Sequence, residues 1–206
     1  MNVYQIVDEV RGVTTRTPNG IFECAAVRLA CADRPSSVHI CLVRNIGPND
    51  PCLLRLNSAC ATSELFGCER CDCAWQLSES LRRFSHERSC ALIHTFGDEG
   101  RGHGVFEKLR SYLESDGTAA SGLDRRYLDR PDLRDFEAQA FVARWLGVRV
   151  ARLISDNSRK REALCRSGIR VTEVIGLRSE HAAFTAFYRM KDSLDGYCPE
   201  ASEEGP

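Results

Sequence analysis

Apolar residues fall into short blocks bounded by turn residues in the first third of the chain, and into helix-spaced stripes after it. Residues 21–29 and 38–44 are apolar runs flanked by Pro18-Asn19-Gly20 and Gly47-Pro48-Asn49, which predicts strands. Residues 52–56 predict another. From Trp75 onward, Leu77, Leu81 and Phe84 recur at i, i+4 and i+7, the period of an amphipathic helix. A buried strand is expected at 90–94, then a helix carrying Phe106, Leu109 and Leu113. Residues 118–130 are polar and irregular and read as a long loop. Phe136, Ala140, Ala143 and Leu146 mark a helix that stops at Gly147. A β-α-β unit follows: a strand at 150–154, a helix at 159–167 ended by Gly168, and a return strand at 170–175. Strands first and alternation later predict a mixed α/β (α+β) fold, with one domain over residues 1–190. The acidic stretch 191–206, bearing Gly, Ser and Pro, predicts a flexible tail.

Composition narrows the class. The 206 residues are 43% hydrophobic and 28% charged, as in a soluble globular domain. No apolar run approaches ~18 residues, so no membrane span is expected. Residues 1–11 carry Asp8 and Glu9 and lack the apolar core of a signal peptide, so a cytoplasmic protein is expected. The net charge of -1 gives no basic excess for nucleic acid or a membrane surface. Positive charge comes almost wholly from Arg, with Lys108, Lys160 and Lys191 the only lysines, so an anion would be held by local Arg clusters. Eleven cysteines in a chain without a secretion signal read as reduced thiols, some buried and some on a metal. Cys24, Cys31, Cys41, Cys52, Cys90 and Cys165 sit in apolar patterns and are expected to pack as small hydrophobes. Cys198 lies in the polar tail.

Cys60, Cys71 and Cys73 form the strongest chemical signal. Thiolates suit zinc, and a tight turn can bring Cys71 and Cys73 onto one ion with Cys60. Cys68 could be a fourth ligand, which would close a structural site. A three-ligand site instead leaves a position open for water, acidified toward pH ~7. Spacing alone leaves both open. A zinc nucleobase deaminase is not expected: no Pro precedes Cys68-Glu69-Arg70-Cys71, and no H-x-E occurs.

The residues around the cysteines carry a resemblance. Cys60-Ala-Thr-Ser-Glu-Leu-Phe-Gly-Cys-Glu-Arg-Cys71-Asp-Cys73-Ala-Trp-Gln76-Leu77 resembles the zinc segment of the GTP cyclohydrolase II family. Glu99-Gly100-Arg101-Gly102-His103-Gly104 is similar to its E-G-R-G-I-G loop, and Lys108-Leu-Arg-Ser-Tyr112 to its K-x-x-A-Y helix. Asp132-Leu133-Arg134-Asp135-Phe136 matches D-x-R-D-Y/F, and Leu153-Ile-Ser155-Asp-Asn157-Ser-Arg-Lys160 matches L-L-T-N-N-P-x-K. Five motifs run in the family's order between about Gly20 and Leu177.

The resemblance implies an enzyme that opens the imidazole ring of GTP, releases C8 as formate and pyrophosphate from the triphosphate, and yields a diaminopyrimidine ribosyl phosphate for riboflavin-type pathways. It implies one zinc per chain on Cys60, Cys71 and Cys73, Mg²⁺ with the substrate phosphates, and a homodimer. It makes Asp132 a proton acceptor, Arg134 a nucleophile and Tyr112 a group near the base. Charge stabilisation is the other role open to Arg134, whose pKa is far above neutral. Substrate contacts are implied for Arg55, Asn57, Ser58, Gln76, Glu99, Gly100, Arg101, Ser155 and Lys160. His94 and His103 read as non-ligands.

The match departs from the family in places. R-V/I-H-S-E becomes Arg55-Leu56-Asn57-Ser58-Ala59, which loses a carboxylate at Ala59. Phe96-Gly97-Asp98 is one residue longer than the family's approach to the E-G-R loop. Residues 117–128 diverge. Two alternatives follow: a cyclohydrolase of the same family acting on another purine nucleotide or stopping at partial hydrolysis, and a non-catalytic zinc-stabilised binding module.

Overall fold

The computed structural model describes residues 3–115 and 129–192. One seven-stranded sheet organises them, in the order β1-β2-β3-β5-β4-β6-β7. The strands are β1 (Tyr4–Thr17), β2 (Gly20–Cys31), β3 (Arg34–Arg44), β4 (Cys52–Ser58), β5 (Cys90–Phe96), β6 (Val150–Ile154) and β7 (Arg170–Ile175). β1, β2, β3 and β5 pair antiparallel. β5, β4, β6 and β7 pair parallel. The mixed fold, with a β-rich start and later alternation, is as the sequence predicts. Long β1 is a strand the sequence reading did not assign: its exposed positions alternate too weakly to give a period-two signal.

Helices cover the parallel half on both faces. Residues Cys73–Phe84 form α2, whose Phe84 packs with Phe22, Leu53, Cys90, Leu92, Ile154 and Leu177. On the other face lie α4 (Phe136–Trp145) and α5 (Ser158–Arg166), packed on Leu54, Leu56, Ala91, Ile93 and Leu153. Short α1 (Ala61–Phe66), α3 (Val105–Ser115) and α6 (Thr185–Asp192) are the other α-helices among the described residues. β4 is buried along its first six residues, as expected of a parallel strand covered on both faces. From β4 the chain crosses to β5 on one side and later to β6 on the other. That reversal leaves a crevice at the carboxyl ends of β4, β5 and β6, where open α/β sheets bind ligands.

Several expectations need correction. The first amphipathic helix after β4 starts at Cys73, two residues before Trp75. α6 extends to Asp192, so residues 191 and 192 of the expected tail are helical. Residues 193–206, with Cys198, lie outside the described residues, as do 118–128 of the expected loop. Cys165 is exposed, because it sits on the outer face of α5, and Cys24 and Cys31 are only half-buried; Cys41, Cys52 and Cys90 are core residues as expected. No described helix is long and apolar enough to cross a membrane.

Candidate active site

Residues at the ends of β4, β5 and β6 and from helices α2, α3, α5 and α6 line one cleft at that crevice. Cys60 ends the segment after β4 and opens α1, while Cys73 opens α2 one residue beyond Asp72. Their sulfurs and that of Cys71 all lie within 4.8 Å of one another, and Cys60 and Cys71 are 3.6 Å apart. All three line the cleft. Among the described residues this is the one group that could hold a metal ion, and Cys68 stands outside it.

The electrostatics of this trio fit a soft divalent cation. Hydrogen bonds from Cys71 and Cys73, then Lys108, hold the Cys60 thiol far below its ordinary value. The hydrogen bond to Cys60 pushes Cys71 up to about 12, and Cys73 rises for the same reason. Three crowded sulfurs thus share one negative charge. A bound cation would remove the repulsion that keeps the other two protonated.

Lys108 braces this corner. Its Nζ donates to Cys60 Sγ at 2.9 Å, to Thr62 Oγ1 at 2.7 Å, and to Glu99 Oε1. Burial works against its charge, but the Cys60 sulfur and Glu99 outweigh it and hold the ammonium above its usual range. Glu99 Oε2 accepts from the Ala61 N–H at 2.6 Å, so both its oxygens are engaged. Tyr112 faces the cleft with its hydroxyl 3.4 Å from Thr62 Oγ1. Burial raises the Tyr112 phenol, which therefore keeps its proton.

Cations also line the cleft. Arg134 is clamped by Asp132, with Nε 2.9 Å from Oδ1 and Nη2 2.6 Å from Oδ2. Burial opposes ionisation of Asp132, but Arg134 and then Arg159 outweigh it and lower its pKa. Lys160 donates to the Leu56 carbonyl at 2.6 Å; burial first, then the charges of Arg55 and Arg134, push its pKa well down. An anion here would relieve that repulsion. Arg55 rises from the floor of β4 to donate to Gln76 Oε1 at 2.7 Å, while Gln76 Nε2 donates to Asp72 at 2.7 Å. Ser155 Oγ accepts from the Asn157 N–H at 3.0 Å, and Asn157 Oδ1 caps α5.

The Glu99-Gly100-Arg101-Gly102 turn sits against the Asp132-Leu133-Arg134 segment. Gly100 and Arg101 have φ of 61° and 59°, and the Arg101 carbonyl accepts from the Leu133 N–H at 3.0 Å. A Cβ on Gly102 would come within 2.9 Å of the Leu133 carbonyl carbon, so glycine is required for the approach. Two motifs 30 residues apart in sequence thus form one unit.

The comparisons with known proteins agree with this geometry. The family model described as GTP cyclohydrolase II matches residues 9–176. The chain belongs to the GTP cyclohydrolase II family. That is a family of hydrolases. The GTP cyclohydrolase-2 of Streptomyces coelicolor is 41% identical over 154 residues, covering 71% of this chain and 68% of that protein. The riboflavin biosynthesis protein RibBA of Parabacteroides distasonis is 34% identical over 152 residues, 73% of this chain and 37% of that protein. RibBA of Aquifex aeolicus is 32% identical over 193 residues, 92% and 47% respectively. The chain therefore spans less than half of these RibBA relatives.

All of the expected site residues of this family member line the cleft except Asp132, which reaches it through Arg134. Several lining residues carried no expectation. Asp98 lies in the lengthened Phe96-Gly97-Asp98 approach to the Glu99 turn and accepts from Ser58 Oγ at 2.7 Å and Gln139 Nε2 at 3.2 Å. Burial raises its pKa. The insertion was the available signal. Lys108 was visible within its motif, and Asp72 between two cysteines. Phe187 and Lys191 of α6 had no signal. The carboxylate lost at Ala59 has a neighbour in Glu64, which accepts from Asn57 Nδ2 at 3.0 Å. His94 is 3.0 Å from the same amide nitrogen, and His103 lies 2.8 Å from the Pro131 carbonyl.

Proposed function

We propose that the chain is a zinc-dependent cyclohydrolase that opens the imidazole ring of GTP and releases formate and pyrophosphate, leaving a diaminopyrimidine ribosyl phosphate. The observation that carries this is a single cleft lined by both a trithiol corner and the cations Arg134 and Lys160. Such a cleft suits a ligand with a reactive ring at one end and phosphates at the other. Cys60, Cys71 and Cys73 would hold the zinc, which when bound would supply Lewis acidity for hydration of C8.

The chain's own residues set the rest. Lys108 neutralises charge beside Cys60 and, with Glu99, fixes the start of α1 against the cysteine turn. Tyr112, kept protonated by burial, offers its O–H to the departing ring nitrogen. Arg134 binds the phosphoryl group undergoing substitution. Asp132 is ionised and bidentate to Arg134, which suits an orienting partner better than a base that strips a guanidinium. Arg134 therefore acts as a charge stabiliser and not as a covalent nucleophile. Lys160, Ser155 and the turn at Gly100 and Arg101 complete the phosphate contacts, with Arg55 and Gln76 on the floor. Mg²⁺ would arrive on the phosphates, and Asp98 is the carboxylate that feels both Arg134 and Lys160.

Asn57, Ser58 and Asp98 favour one second reading, the same chemistry on another purine nucleotide. Ser58 is turned to Asp98 and Asn57 to Glu64 and His94, so this corner presents different atoms from the family's H-S-E run. A closed four-cysteine zinc module has no support in the placement of Cys68.

The protein's assembly as a homodimer has a surface to use. Val10, Ala26 and Ile40 lie in one cross-strand row, and Val38 pairs with Phe96 in another, on the face of β1–β3 that α2 leaves open. Val10, Ile40 and Phe96 are 54%, 38% and 45% exposed. The function is tested by incubating zinc-loaded protein with GTP and Mg²⁺ and a panel of other purine nucleotides. Formate and pyrophosphate in equal amounts from GTP support the first reading; turnover of another nucleotide alone supports the second; no product from any of them removes both.

A further inference from the structure

The family match ends at residue 176, yet the cleft does not. Beyond it the chain folds back as α6, anchored at several points. Phe184 and Tyr188 are buried, and the Tyr188 hydroxyl accepts from the Ser179 N–H at 2.7 Å. Arg178 pairs with Asp192, with Nη1 3.0 Å from Oδ2. Lys191 Nζ donates to Asp156 Oδ2 at 3.1 Å, and Asp156 Oδ1 accepts from the Leu177 N–H at 3.1 Å. The Lys191–Asp156 pair ties the helix to the β6–α5 turn, and both residues line the cleft. The helix therefore has a fixed position and presents Phe187 to the cleft.

Phe187 and Tyr112 are the two aromatic rings among the lining residues. Tyr112 belongs to the trithiol corner and has the Arg70 guanidinium 4.7 Å from its ring centroid. The Phe187 ring has Tyr188 at 5.9 Å and Lys191 Nζ at 6.0 Å. An aromatic ring has no use for phosphate, whose oxygens want donors; it suits a flat heterocycle. Asn157, another lining residue, uses Oδ1 to cap α5, and its buried Nδ2 meets no acceptor among the described residues. An unmet buried donor and an aromatic ring lining one cleft point to a ligand carrying both a ring and acceptor atoms.

We infer that α6 is the heterocycle-binding wall of the cleft, with Phe187 packed against the purine of the nucleotide and the Asp156–Lys191 pair holding the helix there. This rests on the proposed nucleotide reading and adds to it a specificity residue outside the family match. Phe187 is a binding residue and takes no part in bond making.

The test compares two probes on the full-length, zinc-loaded protein by calorimetry: a non-hydrolysable GTP analogue and inorganic tripolyphosphate. Phe187→Ala is expected to weaken the analogue roughly tenfold and leave tripolyphosphate within about twofold of the native protein. Phe187→Trp, which keeps a ring, is expected to restore most of the affinity. Lys191→Met, which frees the helix, is expected to weaken the analogue more than tripolyphosphate. Zinc content and thermal unfolding of each variant show that the fold is intact. Equal weakening of both probes in Phe187→Ala, or none in either, overturns the assignment of α6 while leaving the nucleotide reading in place. A native protein that binds neither probe overturns both; if Phe187→Ala does not fold, Phe187→Leu with the same two probes decides.

Discussion

The antiparallel strands β1–β3 and the parallel strands β4, β6 and β7 share one sheet with a hydrophobic cluster on each face, yet they divide the labour sharply. The antiparallel half supplies Ala25, Val27, Leu29 and Cys41 to the core and no residue to the cleft. In the parallel half, β4, β5 and β6 end in segments that line the cleft: Ser58 to Cys60, Asp98 to Arg101, and Ser155 to Asn157. The reason is geometric. Parallel neighbours point their carboxyl ends the same way, so their loops converge, whereas antiparallel neighbours alternate and spend their loops on hairpins. β5 belongs to both halves, antiparallel to β3 and parallel to β4. A buried relay crosses at that strand. His39 Nδ1 meets Thr95 Oγ1 at 2.9 Å, and Gln139 Nε2 reaches Thr95 Oγ1 at 2.9 Å and Asp98 Oδ2 at 3.2 Å. The scaffold half thus steadies a cleft carboxylate without touching the ligand.

The sharpest way to break the comparison is at the metal corner. Cys71→Ser is expected to abolish ring opening and bound zinc together, while Cys68→Ser keeps about one zinc per chain; metal analysis and formate release read both. Bound zinc lost in Cys68→Ser would mean a closed four-ligand site. At the phosphate wall, Arg134→Ala is expected to cut pyrophosphate release by ~10²–10³-fold. Asp132→Asn should cost less, because it removes an orienting partner and leaves the guanidinium.

The relay gives a pH prediction from the scaffold half. Burial lowers the His39 pKa to about 4, against 6.5 in the unfolded chain, with Asp135 opposing weakly. Between those values the unfolded chain binds more protons, so stability falls as pH drops from 6.5 toward 4. The loss approaches about 3 kcal/mol as pH falls through about 4, where the folded form also takes the proton. His39→Gln should lack this component, and urea titrations of both proteins at pH 7.5 and 5 measure it. An identical acid loss in the two would remove His39 from the account. The smallest stability effect is expected at the open sheet face. Ile40→Lys should leave unfolding free energy within ~0.5 kcal/mol and move the assembly toward monomer in sedimentation, if that face joins two copies.

Much of this was legible in the residues themselves. The runs at 21–29 and 38–44, the 90–94 strand and the β-α-β unit after Val150 appear as predicted, because burial on a known period leaves a pattern. The cysteine trio and the clusters around Arg101, Arg134 and Lys160 were visible as motifs. What escaped notice lacked local contrast. β1 is mostly exposed and so has no apolar alternation to read. Asp98 is one acidic residue in a turn, and its environment comes from Ser58 and Gln139, 40 and 41 positions away. Phe187 lies in a short amphipathic stretch that resembles any terminal helix.

Sequence by itself determined the residue kinds: soft thiols for a metal, guanidinium and ammonium groups for an anion, and glycines where the turn at residues 100–102 had to bend. Only the tertiary structure decided which thiols meet, that Cys68 stays apart, that Asp132 is spent on Arg134, and that α6 returns to the cleft. Those outcomes depend on distances between segments that are remote along the chain. Local composition carries no such distances, and the crossing of β4 between two parallel neighbours sets them.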